Sequence, residues 1–116
     1  MITGLDLNAI DKYTIKGDTD NPTVWYLAII PSYLFARVSE EGQGGGVKTA
    51  YKACQLALKG WENFSIPFST EREKIYEKDM DVVPISVLEQ IPLKVISELS
   101  MRILEINQLT DKERKN

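Results

Sequence analysis

The chain contains no histidine. Imidazole general bases, histidine-held metals and His–Cys or His–Ser nucleophile pairs are therefore excluded. There is one cysteine, Cys54, which leaves no internal disulfide and fits a reducing compartment or a buried thiol. No apolar run approaches the ~18 residues of a membrane span. The N-terminus also lacks the charged region and apolar core of a secretion signal, so neither membrane nor export is expected. A basic surplus is missing as well: 14 Lys and Arg stand against 17 Asp and Glu, for a net charge of −3 and a pI of about 5.0. Nucleic-acid binding through phosphate contacts is not expected from such a balance. The short basic group Lys112, Arg114 and Lys115 sits beside Asp111 and Glu113.

What is present is an ordinary globular composition, 43% apolar and 27% charged over 116 residues, enough for one domain with one modest core. Residues 1–11 read as an arm in which Leu5, Leu7 and Ile10 could dock. Residues 12–30 read as a β-hairpin. Lys12–Lys16 alternates polar and apolar, GDTDNP is a dense turn cluster, and TVWYLAII is a run of strand formers. Trp25 and Tyr26 would point to opposite faces, with core packing expected for both. A hairpin alone is marginal, so it should lie on helices or pair with a partner's strand.

Residues 31–109 read as helical. Pro31 opens a helix over PSYLFARVSEE, and 42–46 is a glycine-rich linker rather than a phosphate loop, because no Lys-Ser/Thr follows. Residues 47–59 form a helix with Val47, Tyr51, Cys54 and Leu58 on one face and Gly60 as its stop. Trp61, Phe64 and Phe68 crowd an aromatic loop. Thr70 to Glu73 matches a capping box, and EREKIYEKDMD is expected to be a solvated helix. Pro84 starts a short helix and Pro92 a long one, whose stripe is Ile96, Leu99, Ile103 and Ile106, widened by Leu93, Val95 and Leu104. Residues 110–116 form the tail. The expectation is an α+β domain, mainly α: an N-terminal β-hairpin followed by four to five helices. No catalytic, cofactor or metal residues emerge, since no carboxylate pair stands out and the EF-hand pattern is absent. Apolar surface for protein contact is the remaining offer. Trp61, Phe64, Phe68, Leu93, Ile96 and Ile103 are its candidates, although domain core is the favoured role for the long-helix stripe.

Gly60-Trp61-Glu62-Asn63, then Pro67-Phe68-Ser69, then Pro92 through Leu99 and a terminal Lys115-Asn116 form a pattern. It resembles that of small morphogenesis proteins of long-tailed phages, the tail assembly chaperone-like family. Ile30-Pro31-Ser32-Tyr33 fits the same outline, and the resemblance covers most of residues 24–116. The chain departs from the pattern by an insertion of roughly a helix, Glu71 to Val83. The resemblance implies a non-catalytic chaperone in the host cytoplasm that binds the tape measure protein and tail tube subunits; self-association through part of the long-helix stripe is a separate reading of the residues themselves. The resemblance also implies a longer form made by ribosomal frameshifting, since Lys115-Asn116 can be coded by a slippery run of adenines. The alternatives are a structural virion protein (neck, tail completion or decoration subunit) and, less favoured, a phage-encoded inhibitor of a host system.

Overall fold

The computed structural model describes residues 4–41 and 46–108. Strands β1 (Ile10–Thr14) and β2 (Val24–Ala28) form the expected hairpin, paired antiparallel with Lys12 opposite Tyr26. The turn cluster between them uses Gly17 at φ 99° and Asn21 at φ 50°, and the Asp18 carboxylate accepts the Thr23 N–H at 3.0 Å. These are the left-handed positions that Gly and Asn tolerate best. Upstream, Leu5, Leu7 and Ile10 remain exposed, so the arm is not docked.

Helix α1 (Ser32–Glu41) follows Pro31, whose carbonyl accepts the Phe35 N–H. Helix α2 (Val47–Ala57) starts at Gly46. The remaining linker residues, 42–45, lie outside the described residues, as do 109–116 with the tail. α2 ends two residues before the expected Lys59. Leu58 turns extended (φ −77°, ψ 120°), and Leu58–Glu62 becomes strand β3, joined to the helix without a loop. It pairs antiparallel with β2, giving a three-stranded sheet of order β1-β2-β3. Tyr26 faces Gly60 and Leu27 faces Leu58, so Lys59 is the extra residue of a bulge. Gly60 is therefore no helix stop. A Cβ there would stand 3.1 Å from Tyr26 Cδ2, and glycine lets the ring lie across the strand.

The second correction concerns residues 71–81. They are not a helix but strands β4 (Glu71–Ile75) and β5 (Lys78–Val82), a separate two-stranded sheet. Tyr76 and Glu77 form its two-residue turn at φ 49° and 69°, the positive-φ pair of a type I′ hairpin. Glu, Lys and Arg favour helices intrinsically, but tertiary burial outweighs that preference here. Period-two alternation puts Ile75, Met80 and Val82 on the inner face and the Arg72–Asp81 ion pair on the outer one. Among the described residues, five strands in two sheets stand beside four helices, so the fold is α+β without being mainly α.

Short helix α3 (Ile85–Leu88) and long helix α4 (Leu93–Gln108) each begin behind a proline whose carbonyl accepts the first helical N–H groups. Ile96, Leu99, Ile103 and Ile106 of α4 are buried against the rest of the core, with Leu27, Ile30, Leu34, Val38, Cys54 and Leu58 among its other members. Burial of each such side chain contributes about 1.5–3 kcal/mol. Asn107 ties the end of α4 to the end of β2, accepting the Ile30 N–H at 2.9 Å and donating to the Ile103 carbonyl. Trp25 is core, whereas Tyr26 on the opposite face is half-buried, with Lys12 Nζ 5.9 Å from its ring. No helix among the described residues is long and apolar enough to cross a membrane.

Candidate protein-contact surface

The aromatic residues assemble at one end of the three-stranded sheet. β2 and β3 bring Trp25 and Trp61 opposite each other, and the loop after β3 folds back to add Phe64 and Phe68. Trp61 lies 5.6 Å from Trp25, 5.4 Å from Phe64 and 5.0 Å from Phe68, all edge-to-face. Its indole N–H donates to the Ile66 carbonyl at 2.7 Å, which pins the loop. Asn63 takes the left-handed turn at φ 59° that reverses the chain, and its side chain donates to the Pro22 carbonyl. The Asn63 carbonyl in turn accepts from the Thr23 hydroxyl at 2.7 Å. Trp25 Nε1 is buried without a hydrogen-bond acceptor, at a cost of about 1–3 kcal/mol, so ring packing is what holds this cluster. The Gly-Trp-Glu-Asn and Pro-Phe-Ser segments are therefore fold-bearing. Trp61, Phe64 and Phe68 are half-buried and face one another more than solvent.

The long-helix candidates divide. Ile96 and Ile103 are 0% exposed and out of reach of a partner in this fold, whereas Leu93 is exposed. The accessible apolar surface lies on another face of α4. Met101 is 70% exposed, and Leu104 and Val47 are also exposed. With Thr49 and Ala50 of α2, Ser97 and Ser100 of α4, and Ser39 of α1, they line a groove of about 410 Å³. Among the described residues its walls carry no charged side chain, and the polar atoms of the lining side chains are hydroxyls. Met101 and the serines escape sequence reading because they lie off the strongest apolar stripe. The signal is a second row, Leu93, Ser97, Met101 and Leu104, running beside it.

On the far side of Met101 a second depression of about 360 Å³ lies between β1 and α4, lined by Tyr13, Lys16, Glu98, Arg102 and Glu105. Arg102 is fully engaged there. It binds both Asp11 carboxylate oxygens at 2.9 and 2.8 Å and Glu105 at 2.7 Å, and its guanidinium sits 5.6 Å from the Tyr13 ring. The Asp11 bond, with both carboxylates, raises its pKa further. This arginine ties α4 to β1 rather than waiting for an anion.

The one thiol is withdrawn from the surface. Burial pushes the Cys54 thiol up to about 12, and its S–H faces the Ile96 carbonyl at 3.8 Å. A thiol held protonated and out of solvent is no nucleophile. Among the described residues, no three Cys, Asp or Glu side chains converge to hold a metal ion. No protein-family model, no curated protein and no solved structure matches the chain.

Proposed function

We propose that this chain is a non-catalytic assembly chaperone that holds an apolar helical segment of a client polypeptide in the α2–α4 groove. The observation that carries the reading is the exposure of Val47, Met101 and Leu104 around an uncharged, hydroxyl-rimmed slot. Helix-in-groove recognition needs such a floor for apolar residues at i, i+3, i+4 and i+7 of a client. The phage-chaperone resemblance names the client class: the long helical tape measure protein, with the tail tube protein as second partner, in the host cytoplasm during infection. Trp61 and Asn63, which carry part of that resemblance, bear the fold and not the groove. Strand addition through residues 23–30, the contact a structural virion subunit would use, is closed because β2 is paired on both sides.

Co-expression with a phage tape measure protein tests this. The wild-type chain keeps the client in the soluble fraction, and Met101→Glu, which places a charge in the groove without touching the core, abolishes the effect. Retention of client by Met101→Glu removes the groove from the mechanism. An insoluble client with the wild type removes the chaperone role. Finding the chain in purified virions by mass spectrometry favours the structural subunit.

A further inference from the structure

Lys48, Lys52 and Gln55 recur on α2 at intervals of four and three, the polar stripe that a surface helix gives to solvent. Part of that stripe is covered. Gln55 is 2% exposed, and its amide donates to the Val83 carbonyl at 3.0 Å. Lys52 Nζ lies 6.0 Å from the Tyr76 ring. The cover is the β4–β5 hairpin, whose strands pair only with each other. A ribbon of two strands is marginal without support. Residues 71–82 carry five carboxylates against three cations and lie over a face bearing Arg37, Lys52 and Lys59. The tip is strained, because tyrosine and glutamate occupy left-handed positions that type I′ turns give to Asn and Gly. Ile75 and Val82 seat the hairpin on the core, and at its tip the Tyr76 hydroxyl donates to Glu41 at 2.7 Å while the Arg37 guanidinium stacks 4.6 Å from the Tyr76 ring.

We propose that the β4–β5 hairpin is a hinged cover over the polar face of α2, latched by Tyr76 on Glu41 and Arg37, and that it opens as a unit while the three-stranded sheet and α4 stay folded. Opening bares Lys52 and Gln55 of α2 and Arg37 of α1, and it takes Ile75 and Val82 off the core. The inference stands apart from the client groove. Amide hydrogen exchange on the full chain tests it. In the wild type, the cross-strand hydrogen-bonded amides of the hairpin exchange at least roughly tenfold faster than those of β2 and α4. Tyr76→Phe keeps the ring and loses the charge-assisted bond to Glu41, accelerating the hairpin amides by a further several-fold, up to about tenfold, with β2 and α4 unchanged. Hairpin amides as slow as the core amides overturn the cover. Acceleration of all amides together, or of none, in Tyr76→Phe overturns the latch.

Discussion

Trp61 offers the sharpest separation between a residue that folds the chain and one that meets a partner. Trp61→Ala removes three edge-to-face ring contacts, to Trp25, Phe64 and Phe68, and the 2.7 Å bond to the Ile66 carbonyl. Each ring pair contributes about 0.5–1.5 kcal/mol and the hydrogen bond about 1 kcal/mol. Contacts sharing one ring are not additive, and Trp61 is only half-buried, so the expected loss is about 3 kcal/mol, the low end for tryptophan truncation. Trp61→Phe keeps most of the packing and forfeits the bond, for an expected loss of about 1 kcal/mol. The chain has two tryptophans, so either variant leaves Trp25, buried in the same cluster, as sole fluorescent reporter. Urea titration followed by that emission gives both values, and in a domain of this size the alanine variant should lose roughly 10–15 °C of Tm. A Trp61→Ala loss below about 0.5 kcal/mol would refute a folding role for the aromatic loop and return Trp61 to the list of partner contacts.

Two further outcomes follow from burial. Ile103→Ala is expected to cost about 2–5 kcal/mol and Met101→Ala less than about 0.5 kcal/mol, although only Arg102 lies between them on α4; equal midpoints in urea would contradict the packing described. Alkaline stability should fall in a defined window. The folded chain keeps the Cys54 proton to about 12, whereas the unfolded thiol loses it from its ordinary value of 9.0. Stability is therefore complete below about pH 9 and declines as pH rises toward 12. Tyr76, raised from 10.0 to about 12 by burial first and the Glu41 bond second, adds a later decline of the same sign. Thermal melts across this range should flatten between about pH 9 and 10 in Cys54→Ala, and a wild-type profile already flat there would contradict the buried thiol.

Elements specified by local chemistry were legible in the chain: the Gly17–Asn21 turn, helix starts behind Pro31, Pro84 and Pro92, and the apolar stripe of α4. β3 was not, because Leu58 and Lys59 continue the helical pattern of α2, Gly60 reads as its stop and Trp61 as the start of a loop; the five residues become a strand only when β2 lies alongside. The 71–82 hairpin was not either. Its charged residues favour helix, and the opposing term, burial of Ile75 and Val82, comes from residues distant in the chain. The candidate contact residues split for the same reason. Periodicity identifies an apolar face on a helix but not the surface that face will meet, so Ile96 and Ile103 went to the core while Met101 stayed outside.

By itself, the order of residues determined which chemistry is absent, where the chain must turn, and which helix face is greasiest. Each of these depends on a few neighbours and on groups the chain has or lacks. Only the tertiary structure decided that a charged segment would be a hairpin, that Gly60 would lie beneath Tyr26, and that a serine-rimmed groove would open between α2 and α4. Those outcomes depend on surfaces far apart in the chain meeting, and the free energy of that meeting outweighs local preference.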